Sequence, residues 1–188
     1  MKRHLLVGTF MAGAIVVAAG APGAAAAKSS SAAKWSAAAC SSVTSWVNEF
    51  KSSSDQLTSD VATADLAANQ SALVAYLDHE IAFTDQTNQT LAAVGPPKVR
   101  NGAKIAASFD EGYQGAKAQL VSAKTQAAAL PIDDPDAYLD AVEGVTDPIS
   151  NAPDPVTDAI SGLNDLDKSG ALLKAFVKQK ACKPYVFG

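Results

Sequence analysis

The sequence has very few of the side chains on which most enzymes and metalloproteins depend. Beyond the first few residues, His79 is its only histidine and Arg100 its only arginine. It has no phosphate-binding P-loop, no His-Glu-x-x-His zinc motif and no Gly-x-Ser-x-Gly nucleophile motif. Two isolated cysteines cannot form a cysteine-rich zinc site. We therefore predict that the protein is not an enzyme and that it has no cofactor.

The N-terminus is typical of a cleaved signal peptide. A basic start precedes an apolar run from Leu5 to Gly20, and the alanines ending at Ala27 fit a small-residue cleavage site. The apolar run is shorter than the ~20 residues that a membrane-spanning helix needs. We predict that residues 1–27 are removed and that the protein is secreted to the extracellular space. In the alternative, an uncleaved signal segment would be the chain's route to a membrane.

Acidic residues outnumber basic residues in the rest of the chain. Loss of Lys2 and Arg3 with the signal peptide takes the net charge from −4 to −6. Nucleic-acid binding needs basic surface that neutralises phosphates, so we predict no nucleic-acid partner. Lys98, Arg100 and Lys104 nevertheless cluster at the start of a predicted helix, where positive charge opposes the helix dipole. They form a candidate anion-binding patch, with an ordinary solvated surface as the alternative.

Cys40 and Cys182 are the only cysteines, and they lie near opposite ends of the mature chain. A disulfide between them is the simplest interpretation in an exported protein, with two free thiols as the alternative. The bridge would close a loop that includes most of the domain, which chain-entropy arguments value at up to ~5 kcal/mol. It would also place the last helix beside the first.

The composition of the mature chain predicts an all-helical protein. The chain is rich in Ala, Asp, Gln, Ser and Lys, and it has no proline between residues 28 and 95. No alternation of apolar and polar residues persists long enough to indicate a strand. We predict a disordered leader over 28–34 and a single domain over 35–188. Its helices are expected over 35–53, 59–94, 97–130, 135–147 and 155–181.

The spacing of apolar residues predicts how these helices pack. The 97–130 helix carries an unbroken heptad seam in which many residues are small. With the 59–94 helix it would form a long antiparallel hairpin that turns at Gly95-Pro96-Pro97. The predicted fold is an up-and-down four-helix bundle with an extra short helix over 135–147.

Polar residues interrupt the apolar stripe of the 59–94 helix. Gln70, Thr84 and Asn88 occupy positions where a simple bundle would have leucine. A buried polar group without a partner costs of order 1–3 kcal/mol, so these residues would either pair across the bundle or line an internal pocket. Tyr113 on the facing helix would belong to the same polar core. A pocket of this kind would suit a carrier of a small apolar or lipid-like ligand.

The segment Asp165–Gly170, DLDKSG, has the first half of an EF-hand-type calcium loop. The twelfth position of such a loop supplies a bidentate carboxylate, and here it is Phe176. The apolar stripe of the 155–181 helix also passes through the segment in phase, from Leu166 to Leu173. We therefore predict an unbroken helix, either straight or kinked at Gly170, in place of a metal site, with Gly170 where a neighbouring helix comes close.

The signal peptide, the bias towards Ala and Asp, and the positions of Cys40 and Cys182 resemble uncharacterised small secreted helical proteins of actinobacteria. The likeness extends over the whole chain, and it implies no activity and no functional residue. The sequence as a whole predicts a secreted, non-catalytic bundle whose partner is an unknown protein or cell-wall component. A carrier of a small apolar ligand is the alternative function.

Overall fold

The computed structural model describes residues 28–60 and 65–182, and within these ranges every regular element is helical, as predicted. The predicted signal peptide and the last six residues lie outside the described residues. None of the described helices is both long enough and apolar enough to cross a bilayer. The elements are α1 (Ala32–Asp60), α2 (Leu66–Ala93), α3 (Gly102–Ala128), α4 (Pro135–Asn151), α5 (Asp154–Ser161), α6 (Leu163–Leu166), α7 (Ala171–Val177) and a 3-10 turn (Lys180–Cys182).

Helix α3 lies at the centre of the molecule, with α2, α4 and α5 packed around it. The heptad seam predicted from its sequence is buried over most of its length, from Phe109 to Ala127. Small residues let the neighbours approach closely: a Cβ added to Gly112 would lie 2.9 Å from the carbonyl oxygen of Pro155. The short side chains of α3 therefore set how near α5 can pack.

Aromatic rings fill the space between α1 and its neighbours. The Trp46 ring meets Tyr113 edge to face, with 5.8 Å between ring centroids. Trp35 meets Phe109 in the same way at 5.1 Å, and Phe176 of α7 at 6.0 Å. Edge-to-face contacts of this kind contribute about 0.5–1.5 kcal/mol each beyond the burial of area. They join α1 to α3 and α7 in one core.

The predicted disulfide is present between Cys40 and Cys182, whose Cα atoms are 5.2 Å apart. Both cysteines are buried, and α7 and the 3-10 turn lie against α1. The Oγ1 atom of Thr44 also donates to the carbonyl of Ala181 at 3.1 Å. The end of the chain is therefore held beside its first helix, as the cysteine positions predict.

Several helix ends differ from the predicted ones. The leader predicted as disordered over 28–34 is ordered, since α1 begins at Ala32 and Ser30 forms a β-bridge with Pro97. Helix α2 begins later than predicted, because the side chain of Asp65 caps it by accepting the N–H of Ala68 at 3.0 Å. Helix α4 is longer than predicted and carries Pro148 inside it.

The unbroken helix predicted over 155–181 is wrong, and DLDKSG is where it breaks. Asp167 is buried, and its Oδ2 accepts the N–H of Leu172 at 2.6 Å at the start of α7. The break shifts the helical phase by one residue, so α7 buries Leu172 and Phe176. The prediction had Leu173 and the exposed Val177 in those places.

The prediction for Gly170 is also wrong. Among the described residues, no atom lies within 4 Å of the place where its Cβ would be, so none of the described helices approaches there. Its φ is +64°, in the left-handed region that favours glycine. Gly170 is therefore needed for the backbone conformation that restarts the helix.

Replacement of Gly170 by alanine should lower the free energy of unfolding by about 1 kcal/mol, since an L-residue is strained in the left-handed region. Gly162→Ala is the matched control. Gly162 has a φ of −69°, and a Cβ there would lie 3.4 Å from the nearest atom, the carbonyl oxygen of Asp158. Urea unfolding followed by tryptophan fluorescence would measure both variants. Equal effects in the two variants would contradict the conformational role.

Removal of the disulfide in the Cys40→Ser/Cys182→Ser variant should lower the free energy of unfolding by up to ~5 kcal/mol, since the bridge spans 142 residues of sequence. Wild-type protein should show the same loss in a reductant. The double variant should not respond to the reductant, which makes it the control. An unchanged urea midpoint for wild-type protein with both thiols titrated would show that the bridge contributes little.

Candidate functional site

The polar residues predicted along α2 take part in contacts between helices. Gln70 Nε2 donates to the carbonyls of Ala128 at 3.2 Å and Leu130 at 3.1 Å, at the C-terminal end of α3. Thr84 Oγ1 accepts the indole N–H of Trp46 at 2.8 Å. Each residue thus joins α2 to a neighbouring helix, which is the pairing alternative of the sequence analysis.

Asn88 lies nearer the C-terminal end of α2, and Tyr113 lies on α3. Asn88 Nδ2 donates to Asp110 Oδ1 at 2.6 Å, and both residues line a cavity of about 190 Å³ between α2 and α3. Tyr113 is buried, and its hydroxyl has no hydrogen-bond partner in the described part of the chain. Burial raises the pKa of this phenol above its ordinary value. Trp46 therefore contacts two of the four predicted polar-core residues, Thr84 through its indole N–H and Tyr113 through its ring, while Gln70 and Asn88 have other partners.

A groove between α1 and α2 is the candidate functional site. It has a volume of about 440 Å³ and lies between the second half of α1 and the first half of α2. Helical spacing places its polar residues on the two facing surfaces, because residues three and four apart share a face. Alanines and a leucine complete a wall whose polar members are Glu49, Ser52, Ser53, Gln56, Tyr76 and His79.

An ion pair crosses the groove. His79 Nε2 lies 2.8 Å from Glu49 Oε1, and the side chains are 53% and 33% exposed. The imidazole also stacks on Phe83, with 6.3 Å between ring centroids. A pair this exposed contributes only about 0–1 kcal/mol to stability, so it holds His79 in place more than it stabilises the fold.

Glu80 lies beneath the groove, and its side chain is fully buried. Its Oε1 is hydrogen-bonded to the hydroxyl of Ser53, which lies 2.7 Å from the carbonyl oxygen of Glu49. Its Oε2 has no partner within the described ranges. A carboxylate at Glu80 and the carbonyl of Glu49 would compete for the single proton of the Ser53 hydroxyl, which is within hydrogen-bonding distance of both. The neutral carboxylic acid therefore fits this chain of bonds better than the carboxylate.

The surroundings of Glu80 favour its neutral form. Burial raises the pKa of Glu80, the hydrogen bond from Ser53 and the charge of His79 lower it, and Glu49 raises it, with a net upward shift. Burial, and then the charge of Glu80, also raise the pKa of Tyr76. A buried acid therefore lies one hydrogen bond away from the groove.

The hydroxyl and imidazole groups at the groove already have hydrogen-bond partners within the protein. The Ser53 hydroxyl is bonded to Glu80 and to the carbonyls of Glu49 and Phe50, and His79 is bonded to Glu49. Across the same ranges, no three His, Cys, Asp or Glu side chains lie close enough together to hold a metal ion. The groove offers hydrogen-bonding groups to a ligand, and the acidic residue of its wall, Glu49, is bonded to His79.

Sequence reasoning missed Glu80. A spacing of three and four residues along α2 admits Ile81 to a buried stripe, but Leu77, Glu80 and Thr84 fit that spacing equally well. In the structure Glu80 is buried and Ile81 is half-buried. The hydroxyl residues Ser53 and Thr84 were the signal that could have indicated polar contacts between α1 and α2. The partner of Glu80 nevertheless depends on how the two helices align.

The structure shows where the predicted anion patch lies and what the acidic residues of the DLDKSG segment do. Lys98, Arg100 and Lys104 are exposed at the α2–α3 tip, far along α2 from the groove. In DLDKSG, Asp165 forms an exposed pair with Lys168 at 2.8 Å, and Asp167 caps α7. Neither set of residues contributes to the groove.

The chain was also compared with known proteins. No protein-family model, curated protein or solved structure matches it.

Replacement of Glu80 by glutamine should make the protein less sensitive to rising pH. A raised carboxyl pKa in the folded protein means that stability is greatest while Glu80 is protonated and falls as pH rises through that pKa. Glu80→Gln keeps the bond to Ser53 without a charge, so above that pKa it should be the more stable protein. Urea unfolding at a series of pH values would measure the difference.

Glu111→Gln, at an exposed position on α3, is the control for the loss of one carboxylate. It should follow the wild-type pH profile. A Glu80→Gln profile parallel to that of wild-type protein would show that Glu80 is not the group responsible.

Proposed function

We propose that this chain is a secreted, non-catalytic protein that binds its partner in the α1–α2 groove, outside the cell or in the cell envelope. In this proposal the fold is an up-and-down bundle of four members, which are α1, α2, α3 and the path from α4 through α5. The groove supports the proposal because its volume of about 440 Å³ falls in the range of small-ligand sites. The disulfide is compatible with an oxidising compartment.

The chemistry of the groove indicates the class of ligand. Its acidic residue is Glu49, it has no lysine or arginine in its wall, and Glu80 lies beneath it. Serine hydroxyls and an amide lie beside apolar side chains such as Leu57. This combination suits a hydroxyl-rich ligand that is uncharged or positively charged. A sugar or amino-sugar unit of a cell-wall polymer has this chemistry.

The alternative, a carrier with an apolar ligand inside the bundle, has less support. Trp46, Phe50 and Tyr113 fill the centre with ring contacts at 5.0 and 5.8 Å. A lipid chain there would have to displace these rings. The unpartnered hydroxyl of Tyr113 and the cavity of about 190 Å³ beside Asn88 and Asp110 favour an interior site, and both would suit a polar group better than a hydrocarbon.

The groove can be blocked without changing its charge. Ala75 is an exposed alanine in the groove wall, so Ala75→Trp should fill the space and abolish binding. Ala82→Trp, at an exposed site of α2 outside the groove wall, is the matched control and should bind normally. Native mass spectrometry with a defined set of neutral and amino-sugar oligomers would measure binding, and circular dichroism would check folding.

Binding of at least one oligomer by wild-type protein and Ala82→Trp, with loss in Ala75→Trp, is the expected result. Absence of binding to every oligomer would overturn the proposed ligand class. Equal binding by both tryptophan variants would overturn the groove as the site.

A further inference from the structure

Three segments of the chain meet at the α2–α3 tip and hold it rigidly. Ser30 donates its N–H to the carbonyl of Pro96 at 2.9 Å, and Lys98 donates its N–H to the carbonyl of Ser30 at 2.7 Å. Asn101 Nδ2 donates to the carbonyl of Leu166 in α6 at 2.9 Å. The side chains on this tip are therefore displayed from a fixed backbone.

Positive charge collects at this end of the molecule. We call the exposed side chains of Lys28, Lys34, Lys98, Arg100 and Lys104 the basic end. The Ser30 bonds bring the segment that carries Lys28 and Lys34 against the tip that carries the other three. Among the described residues, none of the five forms an ion pair.

The neighbouring acidic residues are already engaged. Asp165 pairs with Lys168 at 2.8 Å, Asp167 is buried in the cap of α7, and Asp110, which lines a cavity beside Pro96, accepts a hydrogen bond from Asn88 at 2.6 Å. At the opposite end of α3, by contrast, Asp133, Asp134 and Asp136 lie within four positions of sequence and are all exposed. A chain whose overall net charge is −4 thus presents one strongly basic end.

The positions of these charges are unfavourable for the isolated protein. Arg100 and Lys104 flank the N-terminus of α3, where the helix dipole is positive, and a cation there costs about 0.3–1 kcal/mol. No side chain caps this end, since Asn101 makes no capping hydrogen bond. An anion bound at the basic end would offset both the charge repulsion and the missing cap.

We propose that the basic end docks onto a linear phosphodiester polymer of the cell envelope. The cations are exposed and come from separate segments, which suits a row of charges along a polymer better than one compact anion. Arginine and helix N-termini both recognise phosphate oxygens. The docking surface is distinct from the groove, so it does not depend on the proposed groove ligand.

A single-stranded nucleic acid fits this surface less well. Proteins that bind single strands combine basic charge with aromatic rings on which the bases stack. The exposed large hydrophobic side chains in the described ranges are Val121, Ile132, Leu139 and Val177, and none is aromatic. The basic end therefore offers charge without a stacking platform.

The test compares two variants that each lose three positive charges. Lys98→Gln/Arg100→Gln/Lys104→Gln removes the tip cations, whereas Lys51→Gln/Lys117→Gln/Lys124→Gln removes cations elsewhere, two of them from partly exposed ion pairs. Binding to a long synthetic poly(glycerol phosphate) would be measured by titration calorimetry at several salt concentrations. Single-stranded DNA, poly-glutamate and inorganic phosphate at matched charge concentration would serve as comparison ligands.

Wild-type protein should bind poly(glycerol phosphate) more tightly than the comparison ligands, with affinity that falls as salt rises. The tip variant should lose about tenfold or more in affinity and about 2 units of the logarithmic salt slope, because roughly 0.7 units are lost for each single-strand phosphate contact. The control variant should keep most of the affinity. Thermal unfolding should show the tip variant to be at least as stable as wild-type protein, since its cations oppose the α3 dipole.

Each contrary result overturns a definite part of the proposal. Equal losses in the two triple variants would show that net charge, and not the basic end, governs binding. Equal binding to poly-glutamate or to inorganic phosphate would overturn the phosphodiester polymer as partner. Tighter binding to DNA would assign the surface to nucleic acid. A clear loss of stability in the tip variant would give these cations a structural role.

Discussion

The close packing of α3 against its neighbours is the constraint on which the rest of the structure depends. Its alanines and glycines leave so little space that a Cβ at Gly112 would meet the backbone of α5. Close approach of this kind makes the neighbours' positions depend on one another, because an interior at crystal-like density transmits small shifts. Helix α2 packs against α3 on one side and against α1 on the other, where the groove lies.

One stripe of α2 carries both a residue that helps to align the helices and a buried acid beneath the groove. Thr84 satisfies the indole of Trp46, so its polarity helps to align α1 with α2. Glu80, one turn earlier, is satisfied only in part and is best accommodated as a neutral acid. A half-satisfied buried acid costs stability that an apolar residue would not. The position of Glu80 beneath the groove offers a functional explanation for a buried acid at this place.

Much of the fold follows from the sequence because helical periodicity is a local signal. The seam of α3 and the disulfide both rest on residue type and spacing, and the structure contains each of them. The candidate site could not be found in this way. The bond of Ser53 to Glu80 joins residues on different helices, and the spacing on α2 fits Ile81 as well as Glu80.

The DLDKSG segment shows most clearly which features the sequence specifies and which features only the tertiary structure specifies. Composition and residue spacing by themselves predicted that the chain is helical, that Cys40 and Cys182 are joined and that this segment is not a complete calcium loop, since Phe176 lacks the carboxylate. Only the tertiary structure decided that the helix breaks there. Burial of Phe176 against Trp35 requires a one-residue change of phase, and the Asp167 cap with the left-handed Gly170 makes that change. Local patterns specify helices, whereas the relative rotation of two helices is set by the side chains between them.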